Sequence, residues 1–115
     1  PPPTQTPAPT LTPTPAPDTI PPSVSITSPT NGNTVSTKTT VTITASASDN
    51  VGGTGVAKVE FYVNGVLLCT DTTAAYACLW SVPAKPKVTY TLQAKAYDKS
   101  GNTSSKSIQV TSSIK

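Results

Sequence analysis

Lys58-Val59-Glu60-Phe61-Tyr62-Val63-Asn64-Gly65 is the stretch that decides the fold. Val59, Phe61 and Val63 alternate with Lys58, Glu60 and Tyr62, the period of a strand with one face buried and the other wet. Asn64-Gly65 follows at once. Both residues accept positive φ readily, so the pair predicts a two-residue hairpin, and Val66 to Thr70 is read as the returning strand.

The same alternation recurs on either side. Val24 and Ile26 share one face of a first strand that Ser28-Pro-Thr-Asn-Gly32 ends, and Val41, Ile43, Ala45 and Ala47 line a second that stops at Asp49-Asn50. Tyr76, Cys78 and Trp80 share a parity on the fifth, and Val88, Tyr90, Leu92, Ala94 and Ala96 on a long sixth. Asp98-Lys-Ser-Gly-Asn102 turns the chain into a last strand with Ile108 and Val110. No segment sustains a helical period. Strands with one apolar and one Ser/Thr-rich face must cover the apolar side with a second sheet, which predicts a seven-stranded antiparallel sandwich. Small Ala45, Ala47, Ala94 and Ala96 allow close approach at one end of it, and Trp80 and Phe61 are expected to fill the other.

Composition bounds the function. The 115 residues contain no His and no Met, every basic residue is Lys, and Glu60 is the one glutamate. His-based triads, His-ligated zinc and most paired-carboxylate chemistry are thereby removed, so no enzyme is expected. The net charge of +3 is spread over isolated lysines, without the clustered basic footprint of a nucleic-acid binder. The longest apolar run, Ala74 to Trp80, falls far short of the roughly 20 residues of a spanning helix, and no membrane insertion is expected. Few charges, abundant Ser and Thr and an even cysteine pair suit an extracellular or cell-surface protein. Lacking an initiator Met, the chain reads as a processed product or a piece of a longer protein whose export signal lies elsewhere.

Ten of the 13 prolines fall within residues 1–22. Residues 1–17 alternate Pro with Thr and Ala and are read as an extended linker or stalk, with Thr4, Thr6, Thr10, Thr12 and Thr14 as candidates for O-glycosylation. Residues 18–115 are assigned to the domain. The sequon Asn102-Thr103-Ser104 is read as coincidental.

Asp18-Thr-Ile-Pro-Pro22, Val24-Ser-Ile-Thr-Ser-Pro29, Ala47-Ser-Asp-Asn50, Val59 to Gly65, Thr70-Asp-Thr-Thr73 and Ala94 to Asn102 together resemble the bacterial immunoglobulin-like domains of secreted hydrolases, proteases and adhesins. The resemblance covers nearly all of residues 18 to 113 and implies a non-catalytic module without naming a ligand. Cys69 and Cys78 depart from it, standing where Gly and an aromatic are expected.

Cys69 and Cys78 are expected to form a structural disulfide, since no His or helix start would activate a thiolate. Their parities conflict: a regular hairpin puts Cys69 on the Glu60 face, whereas Cys78 shares the parity of buried Trp80. The chain is therefore expected to change sheets near Asp71 to Ala75, with the bridge at a sandwich edge. Tyr62 and Tyr97 face outward, about five residues or 17 Å apart, and read as two isolated surface tyrosines rather than a sugar platform. An internal isopeptide bond needs a buried carboxylate, and outward-facing Glu60 does not supply one.

Asp18, Asp49 and Asp98 stand at one pole of such a sandwich, joined by Asn50 and Asn102. They are read as turn-formers and as candidate calcium ligands, with no cofactor required. The expected role is a structural spacer and presentation module, its partners being other domains of a parent protein. The alternative is an adhesive or glycan-binding module, or a self-associating filament subunit. Because residues 1–17 offer no periodic apolar face, deleting them should leave the thermal midpoint almost unchanged. A dilute sample losing several degrees would show that they pack on the domain.

Overall fold

The computed structural model describes residues 18–114, and its regular structure is entirely β. Eight strands follow in order: β1 (Ser23–Ser28), β2 (Thr34–Ser36), β3 (Thr40–Ser48), β4 (Val56–Val63), β5 (Val66–Asp71), β6 (Tyr76–Ser81), β7 (Thr89–Asp98) and β8 (Thr103–Ser113). Strands β1-β3-β6 form one sheet and β2-β8-β7-β4-β5 the other. The linker and glycosylation readings of residues 1–17 lie outside the described residues.

The expected sandwich is present, with eight strands in place of seven. The additional strand, β2, is three residues long and runs parallel to β8, Thr34 opposite Thr111 and Ser36 opposite Ser113. Three residues offer no period to recognise. What holds the segment is the far end of the chain: Gly32 N–H donates to Gln109 O at 2.7 Å, Thr111 N–H to Asn33 O at 3.0 Å, and Gln109 N–H to Asn31 Oδ1 at 2.8 Å. A parallel pair cannot be closed by a tight turn. Its partners are therefore remote in sequence.

Between the sheets lie Val59, Phe61, Leu92, Ala94 and Ala96 from the larger and Ile43, Ala45, Tyr76, Cys78 and Trp80 from the smaller, all buried. Trp80 meets Tyr90 edge to face, with ring centroids 5.0 Å apart and planes at 72°. That geometry sets the positive ring edge against the negative face. Ser112 is one of two buried polar residues among those described, and it is satisfied: its hydroxyl donates to Lys85 O at 2.7 Å and accepts from Val88 N–H at 3.0 Å.

The β4–β5 hairpin forms as predicted, with positive φ at both Asn64 (50°) and Gly65 (81°), the signature of a type I′ turn. Beyond it the reading of Cys69 needs correction. Val63 pairs with Val66 and Tyr62 with Leu67, but Phe61 pairs with Cys69, so Leu68 is an extra residue in the ladder. This β-bulge reverses the parity of everything after it. Cys69 therefore lies on the Phe61 face, partly buried against the core, and not on the Glu60 face.

The parity conflict between the cysteines is thus resolved by one local irregularity in the β4–β5 ladder. β5 and β6 are the edge strands of different sheets, and the Cys69–Cys78 disulfide ties those edges with Cα atoms 6.3 Å apart. The crossing between them is held by Asp71, whose carboxylate accepts from Thr73 N–H at 3.0 Å and Ala77 N–H at 3.1 Å. Replacing both cysteines by serine should lower stability by about 2–3 kcal/mol on the loop-entropy account, read as a drop in denaturation midpoint with an unchanged circular dichroism spectrum. An unchanged midpoint would show that the edges stay together without the bridge.

Candidate functional site

The pole where β7 turns into β8 gathers the polar residues singled out from sequence. Asp98 closes the turn as a side-chain template: its Oδ1 accepts from Ser100 N–H at 2.9 Å and Asn102 N–H at 2.8 Å, and its own N–H donates to Asn102 O at 2.9 Å. Only 2% of Asp98 remains exposed. In the loop between β3 and β4, Asp49 Oδ1 accepts from Asn50 N–H at 2.9 Å and Oδ2 from Gly55 N–H at 2.8 Å. Gly53 passes so close that a Cβ there would stand 2.5 Å from Asp49 Oδ2, which excludes any larger residue without rearrangement.

Asp18 brings the start of the domain to the same place. Its Oδ1 accepts from Ile20 N–H at 3.1 Å, and Oδ2 from Thr54 N–H and Thr54 Oγ1, each at 3.3 Å. Asn102 joins two elements through its side-chain nitrogen, donating to Asp18 O at 2.6 Å and Asp98 Oδ2 at 2.8 Å. The sequon nitrogen is therefore committed to internal partners.

Carboxylate oxygens of Asp18, Asp49 and Asp98 all lie within 4.8 Å of one another. Among the described residues the one lysine–carboxylate ion pair is Lys58 with Glu60, and at this pole backbone amides and the Asn102 side chain donate to the carboxylates. Asn50 completes the knot. With its side-chain nitrogen turned inward it donates to Ile20 O at 3.2 Å, Asp49 Oδ1 at 2.6 Å and Asp18 Oδ1 at 3.3 Å. With its oxygen inward, the same position would add a carbonyl oxygen to the three carboxylates, a donor type suited to a hard cation such as calcium. Asp18, Asp49, Asp98, Asn50 and the Ile20 carbonyl are the residues that would hold the ion.

A second polar group lies on the outer face of the larger sheet. β4 and β7 pair so that Lys58 faces Tyr97, Glu60 faces Lys95 and Tyr62 faces Gln93. Tyr62 and Tyr97 are therefore four residues apart in register with Glu60 midway, and they are not isolated. Both hydroxyls donate to Glu60 Oε1, at 2.7 and 2.5 Å, and Lys58 Nζ stands 3.7 Å from Oε2. Lys58 and Lys95 lie 4.5 and 5.2 Å from the Tyr97 ring centroid, a cation–π arrangement that covers the ring. The alternation showed that these side chains share a face, but only the inter-strand register reveals that they meet.

The Tyr97 hydroxyl above all, with Tyr62 and the two lysines, holds the Glu60 carboxyl below its ordinary value of 4.5 against the opposing effect of desolvation. Hydrogen bonding to the same carboxylate, then desolvation, pushes Tyr62 up to about 12 and raises Tyr97 as well. The lowered carboxyl contributes stability above pH 4.5 that is lost as pH falls through its folded value. The raised phenols contribute stability below pH 10 that is lost as pH rises toward 12. In Glu60→Gln, the tyrosinate absorbance of the native protein should rise at lower pH, nearer 10, with the acid-side loss reduced. Superimposable titrations of the two proteins would dissolve the cluster.

The family model for the bacterial Ig domain matches residues 22–94, and no curated protein matches the chain. Among solved structures, the fibronectin(III)-like modules of Clostridium thermocellum CbhA superpose with a TM-score of 0.72 at 24% identity, over 83% of this chain and 48% of that one. The endo-beta-1,4-mannanase of Thermotoga petrophila gives 0.64 at 15%, over 85% of this chain and 21% of the enzyme. The CARDB domain of PF1109 from Pyrococcus furiosus gives 0.59 at 17%, over 82% and 95%. The chain thus spans about half of the CbhA structure and a fifth of the mannanase. At these identities the neighbours establish the sandwich alone. The family match, covering more than half of the sequence and every strand from β1 into β7, shows that the chain belongs to the bacterial Ig domain family.

Proposed function

We propose that the chain is a non-catalytic spacer and presentation module of an exported, multidomain protein. One observation carries this reading. Asp18 is held at the pole where β8 begins, through Asn102, and the described chain leaves at the far end of β8, whose 11 residues extend for roughly 35 Å at strand rise. Entry and exit thus lie at opposite poles, so the domain adds its full length between whatever it joins. The disulfide across the sheet edges and the hydrogen-bonded entry pole suit a block that transmits position without deforming.

The bacterial Ig family consists generally of accessory modules, and one structural neighbour is an endo-beta-1,4-mannanase, which supports an extracellular setting. The module's partners are then the domains on either side of it. Incubated with insoluble cellulose or mannan, the chain should stay in the supernatant like an inert control protein. Retention that Tyr62→Ala or Tyr97→Ala abolishes would make it a glycan-binding module instead.

A second reading concerns the entry pole and rests on the convergence of the three carboxylates. Calcium bound there would replace the inward Asn50 nitrogen with oxygen and stiffen the junction at Asp18. Millimolar calcium should then raise the melting temperature relative to excess chelator, and Asp18→Asn, which removes charge with little change of shape, should abolish most of the rise. Identical melting curves with no heat of binding would leave the aspartates as turn residues.

A further inference from the structure

A sheet edge offers unpaired N–H and C=O groups, and folded proteins block such edges with short strands, bulges, prolines or charges. Three of the four edge strands here carry such a device. β2 has only three residues, β1 has a bulge between Ile26 and Ser28 and runs into Pro29, and β5 has the bulge at Leu68. β6 differs. Tyr76 to Ser81 pairs with Ala45 to Thr40 in an unbroken register and contains neither a charge nor a proline.

The direction of its free groups follows from two contacts. Val82 N–H donates to Thr39 O at 2.9 Å and Val82 O accepts from Lys38 N–H at 3.0 Å, so even-numbered residues turn toward β3. Ala77 N–H leaves the other way, to Asp71 Oδ2 at 3.1 Å. Alternate residues of an antiparallel strand bond to opposite sides. Leu79 and Ser81 therefore present backbone donors and acceptors at the open edge, and the Leu79 side chain beside them is 68% exposed.

We infer that β6 is a pairing edge, and that its occupant is β6 of a second copy of this chain, antiparallel about a two-fold axis at Trp80. Leu79 then faces Ser81 of the second copy, and the two reciprocal pairs close four N–H to O=C bonds, joining two three-stranded sheets into one of six. In this register Ala77 falls opposite Pro83 of the second copy. Proline has no N–H to place, and Ala77 keeps its bond to Asp71. The side chains flanking the junction, Ala77, Leu79 and Ser81 with Thr40, Thr42 and Thr44 behind them, are uncharged, so no like charges meet. At its rim the charges complement each other. Asp71 stands at one end of β6 and Lys38 at the other, and the two-fold brings the Asp71 end of each copy to the lysine end of its mate.

Sedimentation equilibrium of the full chain tests the pairing, at protein concentrations up to about 1 mM because an interface this small is weak. Mass should rise from monomer to dimer, while amide exchange slows at Leu79 and Ser81 and stays unchanged at Ala77. Leu79→Lys sets like charges close together at the junction, and Ser81→Pro removes an outward N–H without touching the β3 ladder. Each should weaken the dimer by roughly tenfold or more with the circular dichroism spectrum unchanged. Thr70→Lys, on the neighbouring β5 edge, should leave the dimer intact. A chain that stays monomeric throughout, or a dimer that persists in both β6 variants, overturns the proposal, as does exchange that slows on β1 or β5 instead.

Discussion

Val59, Phe61 and Leu92 on one sheet and Ile43 and Trp80 on the other can leave water only together, because each sheet is apolar on a single face. Apolar burial supplies the attraction but no direction, so the relative placement of the sheets has to come from elsewhere. It comes from the connections. Asp71 organises the crossing from β5 to β6, the Cys69–Cys78 bridge holds those edges together, and the bulge at Leu68 turns the first cysteine inward to reach the second. Without the bulge Cys69 would face solvent and the bridge could not form.

Polar groups do a different job at the ends of the sandwich. Asp98 and Ser112, the buried polar residues, each satisfy several backbone groups in the loops that cap the sheets. Such bonds gain little in net free energy, but leaving their partners unmade in a dry site costs about 1–3 kcal/mol apiece. They therefore select one loop conformation over its competitors. The outer faces are divided as well: Lys58, Glu60, Lys95 and Lys106 all belong to the larger sheet, while the smaller one presents Ser, Thr, Ala and Leu79. The charged face is guarded against association, and the uncharged one is not.

Most of the fold was legible because period-two alternation is a local property, and each long strand announces its own buried face. The Asn64-Gly65 turn was legible for the same reason, its backbone demand being met by its own two residues. What escaped was relational. β2 exists because Asn31, Gly32 and Asn33 find β8, and nothing within Thr34–Ser36 says so. The bulge at Leu68 inserts a residue that looks like any other apolar one in Val66–Asp71. Alternation marks Glu60 as outward but leaves its two tyrosines apart, since a shift of one residue between β4 and β7 separates a shared carboxylate from two lone rings. The aspartate pole was readable because Asp, Asn and Gly mark turns, and the order of the strands sends those turns to one end.

That pole also bears on how the domain is aimed. A spacer would set the direction of what precedes it only if the entering chain were fixed to the sandwich, and among the described residues Asp18 is the first that is held so. Its carbonyl accepts from Asn102, its carboxylate from Thr54, and Thr54 Oγ1 in turn accepts from Ser100 Oγ at 3.1 Å. Two separate loops thus grip one residue by its backbone and its side chain. Further on, Ser104 Oγ donates to Pro22 O and draws the following segment onto β8. Asp18 is thus fixed on both sides of its Cα–C bond, the carbonyl by one loop and the carboxylate by the other. The sandwich consequently holds Asp18 stiffly by both its backbone and its side chain.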